Sequence, residues 1–212
     1  MRTDDLIAQL SSGLEPVKSG AVVQLLLGAA LMGLAGSVLV MLAMIGPRPD
    51  LAAAMAHPGM WTKLAYTFAI AAFGLWLVER AGRPGAPMTL PVLAMALPLL
   101  AILVLAGLQM SAPGADMPGL VMGRSSQVCA AYVTLTALPT LAATFWALRK
   151  LAPTRLTLAG AGAGLFAGAA GAFVYCFHCT EEAAPFIAVW YSLGIALVTA
   201  LGALLGRTLL RW

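Results

Sequence analysis

Charge is what this sequence has least of. Only 9% of its 212 residues are Asp, Glu, Lys or Arg, while 61% are hydrophobic. A soluble domain runs nearer half apolar and about a quarter charged. So apolar a chain would expose more greasy surface than water tolerates, and its solvent is therefore expected to be lipid. Three cysteines are too few for a disulfide scaffold. A compact basic region before the first apolar stretch is also missing, since Asp4, Asp5 and Glu15 stand there. No small-residue cleavage site follows Ile45, so that stretch is expected to be a span rather than a cleaved signal, and no lipidation motif is visible.

What is present is a series of long apolar runs. Six satisfy the criterion of about 20 apolar residues for ~30 Å of hydrocarbon. They lie at Ala21–Ile45, Thr62–Val78, Leu90–Gln109, Gln127–Leu148, Leu156–Phe177 and Ala184–Gly206. Pro, Gly and charge punctuate the connections, as in Gly46-Pro47-Arg48-Pro49-Asp50 and Gly82-Arg83-Pro84-Gly85. The expected fold is an all-α membrane protein. Residues 1–20 form a cytoplasmic arm with a short amphipathic helix, and residues 21–212 a bundle of six transmembrane helices with short loops.

Basic residues orient the bundle. Arg2, Lys18, Arg80, Arg83, Arg149, Lys150, Arg155, Arg207 and Arg211 fall on one side, and only Arg48, Lys63 and Arg124 on the other. That imbalance predicts both termini in the cytoplasm. Trp61, Trp76, Trp146 and Trp212 stand near span ends, where interfacial anchors belong. Pro98 and Pro139 fall inside spans and are expected to kink them. No Asp, Glu, Lys or Arg stands inside a span away from its ends, which disfavours a transporter or proton pump.

Gly160, Gly164 and Gly168 recur every four residues in the fifth span, and Gly202 and Gly206 share that spacing in the sixth. One face of each helix is therefore small enough for close helix approach. A nucleotide-binding reading of the Gly-x-Gly pieces fails, because no strand precedes them.

The densest chemistry is Cys176-Phe177-His178-Cys179-Thr180-Glu181-Glu182, at the outer end of span five. Cys176, His178, Cys179 and Glu181 offer soft and borderline ligands for zinc or a softer ion. Cys129 lies at similar depth at the mouth of span four, so the three thiols can converge if those spans are antiparallel neighbours. Its helix N-terminus and Arg124 favour a thiolate, which makes Cys129 the expected attacking thiol. Cys176 and Cys179, at a helix C-terminus, are the expected cation trap. A disulfide is the competing fate in an oxidising compartment. His57, beside Pro58, reads as solvated.

In the N-terminal arm, Thr3 is the expected N-cap, and Gly13 and Pro16 end the helix. Leu6, Ile7, Leu10 and Leu14 repeat at three and four residues and make one face apolar. A membrane-surface helix normally carries many basic residues on its polar face. This arm is acidic, so its apolar face points to a protein partner.

Several of these stretches carry a resemblance: the opening T-D-D-L-I-x-x-L, A-P-T-R-L-x-L-A-G-A from Ala152 to Ala161, H-C-x-E from His178, W-Y-S-L-G from Trp190 and the final L-L-R-W. Together they resemble the negative-regulator-of-sigma-F family of bacterial membrane anti-sigma factors, over essentially the whole chain. The resemblance implies an inner-membrane protein, not an enzyme. It holds an extracytoplasmic-function sigma factor inactive on the cytoplasmic side and releases it under metal or oxidative stress. It also implies two responsive cysteines, which match Cys129 and Cys179 by position, with Cys176 an addition. Membrane lipid is the other expected partner, and no direct nucleic-acid contact is expected. No obligatory cofactor is expected either, and a thiophilic or zinc-like ion enters only as a signal. Two alternatives stand beside this: a membrane thiol oxidoreductase, which lacks a fourth cysteine to pass electrons onward, and a small-solute transporter.

Overall fold

The computed structural model describes residues 2–12 and 20–211. Every regular element among them is helical. The helices are α1 (Thr3–Ser11), α2 (Ala21–Met44), α3 (Leu51–Ala54), α4 (Pro58–Ala81), α5 (Thr89–Ala94), α6 (Ala96–Met110), α7 (Met117–Met122) and α8 (Ser126–Leu151). They continue with α9 (Leu156–Tyr175), α10 (Ala184–Phe186), a π-helical segment (Ile187–Tyr191) and α11 (Ser192–Leu209). Six helical stretches are long and apolar enough to cross a membrane: α2, α4, α5 with α6, α8, α9, and α10 through α11.

The spans differ from expectation where backbone chemistry intervenes. The second is longer than Thr62–Val78, because Pro58 opens α4 at a position that needs no N–H and Gly82 closes it. The third is interrupted at Met95. Pro98 cannot donate to the carbonyl four residues back, and the helix breaks there. Pro139, by contrast, stands inside an uninterrupted α8. The sixth span contains the π-helical turn, which the apolar run did not announce.

Helix α9 occupies the centre. Along its most apolar stretch 72% of the residues are buried, against 22% for the third span at the periphery. Its glycines explain the difference. A Cβ on Gly160 would run into the Gly202 carbonyl oxygen and come within 2.8 Å of the Gly206 Cα. One on Gly164 would meet the Val198 carbonyl and sit 2.8 Å from the Thr199 Cα. The small face of α9 thus lies directly on the small face of α11, backbone on backbone. On another side Thr136 of α8 donates to the Gly171 carbonyl at 3.1 Å.

At the chain start, Arg2 rather than Thr3 is the N-cap of α1, and the Asp5 carboxylate accepts the Arg2 N–H at 3.3 Å. Leu6, Ile7 and Leu10 are 40%, 59% and 69% exposed, so the apolar face has no cover. Gly13, Leu14, Pro16, Lys18 and Trp212 lie outside the described residues.

Candidate functional site

Helix α9 ends at Tyr175, and the chain turns at once. The Cys176 N–H reaches the Ala172 carbonyl at 3.0 Å, and the His178 and Cys179 N–H groups both return to Tyr175 O at 3.0 Å. Pro185 then starts the last span, and the Ala184 N–H is held by the Gln109 side chain at 2.8 Å. The turn between these points, residues 176–183, lies where the loop after α2, the start of α4 and the start of α8 meet.

All three cysteines come together here. They are free, buried and members of one apolar cluster with Met60, Leu64, Tyr175, Phe186 and Tyr191. The Cys176 thiol donates to the Ala172 carbonyl at 3.3 Å and lies 3.8 Å from the Thr67 hydroxyl. The Cys179 sulfur is 3.8 Å from the Ser125 hydroxyl. The Cys129 N–H donates to the Ser125 carbonyl at 2.9 Å in the first turn of α8, and the residue has 0% exposure. The expected attacking thiol is thus fully enclosed here, and a nucleophile must be reached. Cys179 is instead the thiol that lines a cavity, of about 360 Å³, together with Arg48, Ser125, Tyr132, Tyr175 and His178.

The other expected ligands are engaged elsewhere. His178 Nδ1 is 2.7 Å from the Gly46 carbonyl, so that nitrogen carries its proton toward the oxygen, and the ring lies against Tyr175 and Tyr132. Glu181 accepts the Arg124 N–H at 2.7 Å. Among the described residues no group of three or more His, Cys, Asp or Glu is placed to hold a metal ion. Cys129, Cys176, Cys179, His178 and Glu181 are therefore neighbours, with Glu181 and His178 turned to backbone partners rather than to a common centre.

What sequence reasoning missed is the cationic frame around the turn. The Arg48 side chain is 5% exposed; it reaches Asp50 with two bonds of 2.8 Å and Glu182 with one of 3.1 Å. Its backbone N–H also donates to the Phe177 carbonyl at 2.9 Å. These bonds draw the Asp50 carboxyl down to about 2 and push the Arg48 guanidinium above its ordinary range, against the opposing effect of burial. Lys63 is fully buried, and its Nζ donates to the Cys179 carbonyl at 2.6 Å and the Glu181 carbonyl at 3.2 Å. Tyr191 closes the cluster. It shares the apolar cluster of the cysteines, and its buried hydroxyl has no hydrogen-bond partner among the described residues. In the sequence Arg48 and Lys63 register only as orienting charges, and a lysine near a span end is expected to reach out to water.

The opposite end is plainer. Arg149, Lys150, Arg155 and Arg207 are exposed there, with Lys150 3.9 Å above the Trp146 ring. A straight α8 separates Cys129 from Lys150 by about 30 Å.

Comparison with known proteins places the sequence in a family. The family described as negative regulator of sigma F matches residues 10–212. A probable anti-sigma-F factor NrsF of Azospira oryzae is 38% identical, and 100% of each chain is covered. An anti-sigma-F factor NrsF of Caulobacter vibrioides is 39% identical, again with 100% of each chain covered. No solved structure matches.

Proposed function

Because the chain belongs to the negative-regulator-of-sigma-F family, we propose that it is an anti-sigma factor of the bacterial inner membrane. It holds an extracytoplasmic-function sigma factor inactive on the cytoplasmic side. It releases that partner when a thiophilic metal or an oxidant acts on the cysteine cluster at the other face. The reading is regulatory and includes no catalytic step.

The observation that carries it is the uncovered apolar face of α1. Leu6, Ile7 and Leu10 are exposed on an acidic helix that buries none of its own residues. Such a face needs a partner, and the excess of Lys and Arg on its side of the bundle supports a cytoplasmic position. The thiols then lie on the opposite side of the bilayer, at the ends of α8 and α9. Modification of Cys179, Cys129 or both favours a second packing of the last three spans. A coupling of about 2–3 kcal/mol would change sigma-factor occupancy roughly 30- to 150-fold.

Affinity purification of the tagged chain from gently solubilised membranes tests this. A small sigma factor should co-purify and be lost on treatment with cadmium or diamide. Cys129→Ala/Cys179→Ala should retain the sigma factor under both treatments, and deletion of residues 2–12 should release it without any treatment. Recovery of the chain with no sigma factor under reducing conditions would defeat the proposal.

A further inference from the structure

We infer that Arg155 and Arg207 form a second docking point for the sigma factor, and that they meet an acidic surface on it. The inference rests on the proposed function and adds to it the chemistry of the partner's surface.

Helix α9 is central, so its start marks the middle of the bundle end that carries Arg149, Lys150, Arg155 and Arg207. Arg155 stands immediately before that start. Helix α11 comes to the same place at its own end. There Gly206 lies so close to the Leu156 carbonyl that a Cβ would collide with it. Arg207 follows, and its Nε donates to the Thr157 hydroxyl at 3.2 Å. Both arginines are exposed. The base beneath them is solid, since Val78, Ala81, Leu148, Ala159 and Leu210 are buried in one cluster drawn from all the helices that meet there. Two positive charges are thus carried on fixed backbone at one helix junction, which spares a partner the cost of ordering it.

The chain does little to balance these charges. Among the described residues, the ion pairs at this end go to Glu79, which takes Arg80 and Arg83. The acidic helix α1 is not seated on the arginines either. It buries none of its residues, and its Asp4 and Asp5 turn to Arg2. Like charges held together repel, and an acidic surface relieves that repulsion. Lipid headgroups are another source of negative charge. They ring the perimeter, where Lys150 stands 3.9 Å over the half-exposed Trp146 ring. Arg155 and Arg207 stand instead over a helix enclosed by its neighbours, on the side that an aqueous protein reaches. Orienting the bundle requires basic residues on this side, but not at its centre. The partner then offers two surfaces: an apolar groove for Leu6, Ile7 and Leu10, and a cluster of carboxylates for the arginines.

The test uses the full chain in nanodiscs of zwitterionic lipid, with and without phosphatidylglycerol, and the sigma factor that co-purifies with the parent chain. In zwitterionic lipid, Arg155→Glu/Arg207→Glu should weaken binding at least about tenfold, as expected when like charges are brought face to face. Lys150→Glu should change it less than about twofold. Rising salt should weaken the parent complex more than that of the double variant. A double variant that binds like the parent overturns the inference. So does a loss seen only in discs containing phosphatidylglycerol, which would assign the arginines to lipid. If the double variant fails to fold, phenylglyoxal modification of the parent chain decides. Bound sigma factor should then slow modification of Arg155 and Arg207, but not of Arg124, exposed at the opposite end. Equal modification with and without the partner overturns the inference and leaves the proposed function standing. Absence of any sigma factor from the purified parent chain would instead remove the proposed function, and this inference with it.

Discussion

The two ends of the bundle treat positive charge in opposite ways. At one end Arg149, Lys150, Arg155 and Arg207 stand in the open, with Lys150 over the Trp146 ring and Arg207 donating to the Thr157 hydroxyl. At the other, Arg48 and Lys63 are buried and tie the loop after α2 and the start of α4 to the turn after α9. Exposed charges are worth little to stability, because water and salt screen them. Buried ones are costly to leave without partners, so every neighbour must hold its place. The first end is thus free to meet a partner by charge and shape. The second is built so that a local chemical event disturbs many contacts at once.

Breaking the buried frame should show this contrast most strongly. Arg48→Ala takes one donor from Glu182 and one from the Cys179 carbonyl, which keeps only Lys63. It should lower stability by about 3 kcal/mol, the low end for breaking a buried ion pair, since Asp50 is half in water. Arg149→Ala, at the open end, should stay within about 0.5 kcal/mol. Thermal unfolding in detergent compares the two, and equal losses would erase the distinction. Labelling of Cys179 by an impermeant maleimide should also rise in Arg48→Ala and stay unchanged in Arg149→Ala.

A subtler break lies at Gly123, which joins α7 to the start of α8. Its φ of +51 is strained for any other residue, and an added Cβ would sit 2.7 Å from the Glu181 carboxyl carbon. Gly123→Ala should therefore cost about 1–2 kcal/mol through backbone strain and the displaced carboxylate. Glu181→Gln keeps the acceptor for the Arg124 N–H and should cost less than Gly123→Ala in the same melt. A loss as large as that of Gly123→Ala would assign the effect to the carboxylate's charge.

Much of the contrast between the ends was legible in the residues. Hydropathy located the six long apolar helices, and the four-residue glycine spacing of Gly160 and Gly164 foretold the close face that meets α11. The shared depth of Cys129, Cys176 and Cys179 likewise pointed to the cluster they form. Lys63 was not legible. Its partners are backbone carbonyls 116 and 118 positions away, and a carbonyl leaves no mark in composition. The π-helical turn ending at Tyr191 escaped for a related reason, since one extra residue per turn hardly alters an apolar run. The helix-terminus argument for Cys129 carried no information on access, which packing alone decides.

Acid offers the gentlest probe of the buried frame. The Asp50 carboxyl is held down to about 2, chiefly by its hydrogen bonds to Arg48, whereas an unfolded Asp ionises near about 3.9. A carboxyl whose folded value is depressed adds stability that is fully present above the unfolded value. That stability is lost as pH falls through the folded one. The melting-temperature difference between the parent and Asp50→Asn should therefore be constant above about pH 4 and shrink toward zero near about pH 2. Arg48, pushed above its ordinary range, stays protonated throughout, so the change belongs to the carboxyl. Arg149→Ala should track the parent curve at every pH. If the difference between the parent and Asp50→Asn stayed flat across that whole range, Asp50 would contribute nothing by its charge, leaving Glu182 as the carboxylate that matters to Arg48.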